Sequence, residues 1–497
     1  MTEEVPPSQG TSRLAEVLAW GTLAILFVFS LATLAMPAVR AFYHIDFNYN
    51  EGWNVYNTQA AMQHQPLYYP KYDWTTVNYP FLSFYFIGYA SHFIGSYLMT
   101  GRLISLVALL VSSVLVGLMV KKLTGSWGPA VFAGVFCLGL FCARDPTYIA
   151  ADDPQMLAHP FFLFGLCLYL GTSPSTRRIA GITSSFILGG NIKQSLVSAP
   201  LSVLSDLFAT SKSKAVRFMV FGAVLVGLSI AVNMLVGGPY FISHLLTSRG
   251  YISEKLRTMS LPFYTPLGLP LVISVIWSIW QLHNRQGRVI AYYFFSSLLI
   301  GEAFAGGAGV YYNTFFDNLF AMSIIMGACL DLLWKAPIPH IGKGGEWRFL
   351  APVLLYSSVL FMFGQWGADV PKYLSSLPEK EREFKAQVSF LAAQPGPAIC
   401  ESLIRCYDAG KPYVIDPFNS TRLMRLGKLD SNELVQQIAA KEYGAIQIYT
   451  PVTVRSRESF PLEVLNAIDR YYVAVVKDDG CFIYLPRTQP EHASNHP

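Results

Sequence analysis

Charge is scarce in this sequence: only 13% of its 497 residues are charged, while 53% are hydrophobic. A mean hydropathy of +0.37 is too high for a soluble globular chain of this length. No basic patch is interleaved with aromatics, and the net charge of +5 is spread over many short loops, so a nucleic-acid groove is excluded. Nucleotide chemistry has no seat either, since the Walker loop and the glycine-rich dinucleotide fingerprint are both missing. The seven cysteines show no zinc-site spacing. No internal repeat is present. No small-residue cleavage site follows the first apolar run, Val17 to Met36, which ends at Pro37 and Arg40 and therefore reads as an uncleaved span.

What the sequence has in abundance is long apolar runs. Eleven suggest spans, near 17–36, 103–120, 128–142, 154–171, 179–192, 195–209, 217–236, 263–282, 289–306, 315–334 and 349–367. A further segment, 79–98 ("YPFLSFYFIGYASHFIGSYL"), is long enough to cross but is rich in aromatics and broken by Ser83, Gly88, Ser91, His92 and Gly95. Its side decides the topology of everything after it. If it lies flat, one side receives thirteen Lys and Arg, in turns such as "VKKL", "STRR" and "SKSK", and the other receives eight up to residue 367. The positive-inside rule then places 79–98 on the outer surface, where aromatic rings are favoured.

From about 368 the composition becomes that of a soluble domain. Helical patterns at "EREFKAQVSFLAAQ" and "SNELVQQIAAKEY" alternate with strand-like runs at "PAIC", "PYVID", "GAIQIY", "YYVAVV" and "CFIYL". The expected architecture is a polytopic α-helical membrane protein of about eleven spans, with interfacial helices in the first outer loop and a C-terminal extra-cytoplasmic α/β domain. Its boundaries are a cytoplasmic tail at 1–16, a transmembrane domain at 17–367 and the α/β domain at 368–497. Four cysteines lie in or at the ends of apolar runs as small hydrophobes; Cys400, Cys406 and Cys481 fall in the polar C-terminal region, and an oxidising compartment on that side would allow two of them to pair, with the connectivity open.

This topology collects ionisable groups on the outer side. Asp46 and Glu51 come from "DFNYNEGW", and Arg144, Asp145, Asp152 and Asp153 from "CARDPTYIAADDPQM". Lys193 comes from "GGNIKQS", and Arg249, Lys255 and Arg257 from "TSRGYISEKLRTMS". Each has a bland reading beside the functional one. Asp46 and Glu51 are either solvated and helix-capping or chemical, and one of Asp152 and Asp153 caps the helix that Pro154 begins. Lys193 has no acid close in sequence, so it requires an anion, either a protein carboxylate or a ligand phosphate. The stretch 301–318 places Asn313, Asp317 and Asn318 at a span's outer end, where amides and aromatics suit a sugar.

Taken together these residues resemble the GT-C superfamily of integral-membrane glycosyltransferases that use polyprenyl-phosphate sugars. The resemblance is to the branch of lipid A aminoarabinose transferases and protein O-mannosyltransferases. Its carriers are "YNEGWNVYNTQAAM" with Glu51, the segment around Pro80, "GRLIS" with Arg102, Asp153 before Pro154, Lys193 with Gln194, and Asn313 to Phe315. It covers residues 15–335. One departure is Asn50, where the family has the Asp of an Asp-Glu pair.

The resemblance implies transfer of a sugar from a polyprenyl-phosphate donor in the bilayer to a hydroxyl of a lipid, glycan or protein, at the outer face of a bacterial inner membrane. Glu51 or Asp153 would be the base, with Asp46 orienting the acceptor or a divalent metal. Lys193 with Arg102 or Arg257 would hold the donor phosphate, and Asn50, Asp152, Asn313 and Asp317 would line the sugar and acceptor pocket. No organic cofactor and no nucleic acid is implied. The alternatives from the residues themselves are a membrane transporter and, within the same architecture, a ligase moving a whole glycan. "NST" at 419–421 is a glycosylation sequon.

Overall fold

The computed structural model describes residues 9–70, 74–171, 173–247, 250–336, 347–454, 459–478 and 480–487. Of the Lys and Arg residues counted in the two groups of loops, Lys71, Arg249 and Lys343 lie outside the described residues. The chain opens with α1 (Gln9–Arg40), then α2 (Tyr49–Met62) and α3 (Leu82–Ile94) in the first long loop. The helices α4 (Tyr97–Thr124) and α5 (Trp127–Arg144) form a hairpin. Three shorter helices follow: α6 (Pro154–Tyr169), α7 (Thr176–Gly190) and α8 (Ser198–Thr210). Then come α9 (Lys212–Gly237) and the short α10 (Phe241–Leu245). After them α11 (Ser253–Tyr264) runs through a 3-10 turn into α12 (Gly268–Gln281). The last three helices of the bundle are α13 (Arg285–Ala305), α14 (Phe316–Lys335) and α15 (Trp347–Trp366).

Eight helical segments among the described residues are long and apolar enough to cross a membrane. Three of the expected runs, now α6, α7 and α8, are helices of only 13 to 16 residues and fall short of the ~20 that a perpendicular span needs. The aromatic segment α3 has 13 residues, about 20 Å at helical rise, against a hydrocarbon core of about 30 Å. Burial sorts the long helices. The central α14 is buried along nearly its whole length, whereas α9 packs on α7 and α8 and leaves Val220, Val224, Leu228 and Leu235 exposed, as a lipid-facing helix does.

A 3-10 turn, Gly367–Asp369, carries α15 directly into α16 (Val370–Ala392), which leads to the C-terminal unit. There β1 (Ala398–Cys400), α17 (Leu403–Asp408), α18 (Pro417–Arg425), α19 (Ser431–Ala439) and β2 (Ala445–Ile448) precede α20 (Leu462–Tyr471), β3 (Tyr472–Asp478) and β4 (Cys481–Pro486). The sheet order is β1-β2-β4-β3, with β1 parallel to β2 and the other two pairings antiparallel. Four of the five expected strands form. "PYVID" does not, because its backbone is drawn to the first loop: the Asp416 amide donates to the Trp74 carbonyl at 2.9 Å. Cys400 and Cys406 form a disulfide that ties β1 to α17, and Cys481 is free and buried.

Candidate active site

The stretch "DFNYNEGW" becomes the start of α2. Its cap is Asn48, whose side chain accepts the Asn50 amide at 3.0 Å, so neither Asp46 nor Glu51 serves as the cap. Gly52 is required by packing: a Cβ there would lie 2.2 Å from the Ile404 backbone nitrogen, because α17 of the C-terminal unit rests on this turn.

Glu51 is 0% exposed and Arg102 1%. The Arg102 guanidinium donates to both Glu51 oxygens at 2.7 Å and also to the Tyr43 and Ile45 carbonyls at 2.7 and 2.8 Å, with its plane over the Phe47 ring. Glu51 further accepts the Asp152 amide at 3.2 Å. Every charge in this knot is answered by protein, and it pins the first loop and the α5–α6 loop onto α4. Neither Glu51 nor Arg102 lines the adjoining cavity. Asp152 lies against Gly101, where a Cβ would meet its carboxyl at 2.2 Å. Burial pushes the Asp152 carboxyl well above the usual carboxylate range; Glu51 and Asp153 add to the rise and Arg102 opposes it. Asp153 is the N-cap of α6, accepting the Gln155 amide at 2.8 Å, and its second oxygen accepts Asn50 Nδ2 at 3.0 Å.

Beside this knot is a cavity of about 740 Å³, within the range of small-molecule sites. Asn48 to Asn50 and Trp53 form one side of it, Asn78 and Tyr79 another, and Lys193 to Leu196 a third. Lys255, Met259 and the stretch from Gly309 to Thr314 with Asp317 close the bundle side. The C-terminal unit contributes Phe418, Asn419 and Ser459. Of the expected residues, Asn50, Lys193, Asn313 and Asp317 meet here. Asp46, Glu51, Arg102, Asp152, Asp153 and Arg257 do not line it, and Arg257 is exposed.

Two charges dominate the cavity. Lys193 is 6% exposed, donates to the Tyr79 hydroxyl at 2.7 Å, and has no carboxylate within ion-pair distance among the described residues. Asp317 is the cavity's carboxylate. One of its oxygens accepts the Tyr293 hydroxyl at 3.2 Å and lies 3.4 Å from Nδ1 of His159, a fully buried residue of α6. The sequence reading missed His159. The available signal was its i+4 spacing from Gln155, whose amide donates to the Asn313 carbonyl, but nothing in sequence pointed to α14 as their common neighbour. Lys255 also reaches the cavity, with its ammonium donating to the Val310 carbonyl at 2.7 Å.

Asp46 belongs to the seam between loop and C-terminal unit. It accepts Arg405 Nη1 at 3.0 Å and the Tyr449 hydroxyl at 2.6 Å. Nearby, His44 pairs with Asp408 at 2.6 Å, and Tyr49 donates to the Asp416 carboxylate. Among the described residues no group of three or more His, Cys, Asp or Glu is arranged to hold a metal ion.

No family model and no curated protein sequence matches this chain. In structure it is similar to ArnT from Cupriavidus metallidurans. The form bound to undecaprenyl phosphate superposes with a TM-score of 0.57 at 11% identity over 94% of this chain and 98% of that one. The apo form gives 0.58 at 11% identity, over 93% and 97%. The Archaeoglobus fulgidus oligosaccharyltransferase with a tethered acceptor peptide reaches only 0.49 at 9% identity, over 94% of this chain and 74% of that one, too slight a likeness to argue from. At these identities the likeness establishes architecture alone: the chain is an integral membrane protein with the fold of ArnT.

Proposed function

We propose that this protein is a glycosyltransferase that moves a sugar from a polyprenyl-phosphate carrier to an acceptor hydroxyl, and that the cavity is its active site. The observation that carries the reading is that one cavity is lined both by Lys193, an ammonium with no carboxylate within ion-pair distance among the described residues, and by the carboxylate of Asp317. Undecaprenyl phosphate bound to a protein of the same fold supports a lipid phosphate as the anion Lys193 requires. Arg102 is unsuited to that task, since it is 1% exposed, does not line the cavity and has four of its five N–H groups engaged by Glu51 and two carbonyls.

In this mechanism the acceptor O–H gives its proton to Asp317 as its oxygen attacks the anomeric carbon. The bond from that carbon to the phosphate oxygen breaks, and the electron pair leaves with polyprenyl phosphate. Lys193 stabilises the charge that grows on the leaving phosphate. Tyr293 and His159 hold the carboxylate of Asp317 in place, and Asp153 orients Asn50 toward the cavity. The lipid tail of the donor lies along the apolar helices, with its head group beneath α3. The Cys400–Cys406 disulfide supports an oxidising, extra-cytoplasmic side for the C-terminal unit, in agreement with the distribution of basic turns.

The test is release of polyprenyl phosphate from a panel of radiolabelled lipid-linked sugars by purified protein. Wild type releases it, and Asp317→Asn and Lys193→Gln, folded to the same extent, lose most of the rate. Full activity in both variants would sink the assignment.

A further inference from the structure

The end of the bundle away from the cavity carries its own collection of cations, and they are answered in two different ways. The 15 residues of α7 separate this end from Lys193, about 22 Å of helical rise. Lys122 and Arg178 donate here to the carbonyls of Cys167, Leu168 and Leu170, where α6 finishes, and Arg288 meets the buried Asp206 at 2.7 Å. Those cations close the protein's own acceptors. Lys214 and Arg217, three positions apart on α9, meet hydroxyls instead: the Lys214 ammonium donates to Ser173 Oγ, and Arg217 Nη1 to Thr176 Oγ1 at 2.8 Å. Arg177 and Lys212, the neighbours of this group in sequence, are exposed. None of the four has a carboxylate within ion-pair distance among the described residues. Asp206 is the only acid between Gly171 and Arg217, and it is engaged by Arg288 and by the Tyr169 hydroxyl at 2.6 Å.

What adjoins the group is apolar. From Arg217, the helical spacings i+3, i+7 and i+11 on α9 are Val220, Val224 and Leu228, all exposed, and α9 is the least buried of the eight membrane-length segments. A cationic seat at the head of an apolar stripe has the order of an anionic phospholipid, phosphate first and acyl chain after. We infer that Lys214 and Arg217, with the hydroxyls of Ser173 and Thr176, hold the phosphodiester of an anionic phospholipid whose acyl chains lie on Val220, Val224 and Leu228. Each hydroxyl accepts from its cation and so keeps its own proton to donate to a phosphate oxygen. Arg177 and Lys212 add to the positive field that attracts the head group. A zwitterionic lipid brings an ammonium of its own and gains less from these four cations. The site lies apart from the cavity and is independent of the chemistry proposed there.

The experiment is a lipid titration of the full-length protein, read by native mass spectrometry, with dioleoyl phosphatidylglycerol and dioleoyl phosphatidylcholine as the probes. Wild type is expected to retain phosphatidylglycerol in preference to phosphatidylcholine. Lys214→Gln and Arg217→Gln should each lower the affinity for phosphatidylglycerol by about fivefold, the contribution of one Lys or Arg beside an anionic lipid, and leave that for phosphatidylcholine unchanged. The control removes two cations from the same end of the bundle: Lys121, which donates to the Gly125 carbonyl, and Lys335, which pairs with Asp331. Lys121→Gln with Lys335→Gln should keep the preference of wild type. A millimolar excess of sn-glycerol 3-phosphate should not displace the lipid, because the acyl chains supply part of the binding. An undiminished preference in the Lys214→Gln, Arg217→Gln double variant would overturn the inference. So would an equal loss in the control, which would reduce the effect to general surface charge, and so would displacement by sn-glycerol 3-phosphate, which would make the seat one for a soluble phosphate.

Discussion

Two sets of buried charges sit side by side at one end of the bundle, and they are built in opposite ways. In the Glu51–Arg102 knot the guanidinium meets both carboxylate oxygens and two carbonyls, all between 2.7 and 2.8 Å, and neither residue lines the neighbouring cavity. In the cavity, among the described residues, the Lys193 ammonium meets the Tyr79 phenol, and Asp317 meets a phenol and a buried imidazole. A buried charge without an ionic partner is costly, and a fold keeps one where a ligand completes it. The contrast is between a knot that closes on itself and holds the loops in place and a cavity that, under the proposed function, carries the chemistry.

The largest effect expected from this comparison is on turnover. Removing the carboxylate by Asp317→Asn should lower kcat by about 10²- to 10⁴-fold with little change in thermal stability, as read from polyprenyl phosphate release. The converse holds at the knot. Arg102→Met leaves Glu51 buried and unpaired and should destabilise the protein by about 3–5 kcal/mol, seen as a lowered unfolding midpoint in detergent, and Glu51→Leu with Arg102→Met should recover part of that loss. A smaller effect belongs to the seam. Gly52→Ala forces α17 from α2 and should cost about 1–3 kcal/mol, with faster proteolysis between the bundle and the C-terminal unit.

The smallest effect concerns Asp152, whose carboxyl is raised by burial. Its folded state binds the proton more tightly than the unfolded chain does, so its contribution to stability is complete below the ordinary carboxylate pKa of about 3.9 and is lost as pH rises through the folded value. Asp152→Asn should therefore flatten the decline of stability with rising pH. An unchanged slope in unfolding midpoints above pH 4 would show that the carboxyl is not the source.

Much of the helical architecture was legible from hydrophobic runs, because a membrane span writes itself as contiguous apolar sequence. Four strands and two helices of the C-terminal unit were legible by periodicity. α17 and α18 were not: each is 9 residues or shorter, and α18 is fixed by the Asp416 cap and by contact with Tyr49, 367 positions away. The site was legible in its residue types and not in its partnerships. Glu51 and Arg102 stand 51 positions apart, and Asp46 and Arg405 stand 359 apart. Nothing local shows that the first pair closes on itself or that the second joins the loop to the C-terminal unit. Lys193 was singled out by the apolar runs on either side of it, but its contact with the Tyr79 hydroxyl, 114 positions away, was not legible.

The measurement that tests the central contrast most directly is polyprenyl phosphate release per folded molecule, with Asp317→Asn and Glu51→Gln assayed beside wild type at a temperature where all three remain folded. The account predicts a loss of about 10²-fold or more in Asp317→Asn and a rate near wild type in Glu51→Gln. Full turnover by Asp317→Asn together with loss in Glu51→Gln would contradict it and place the chemistry in the knot.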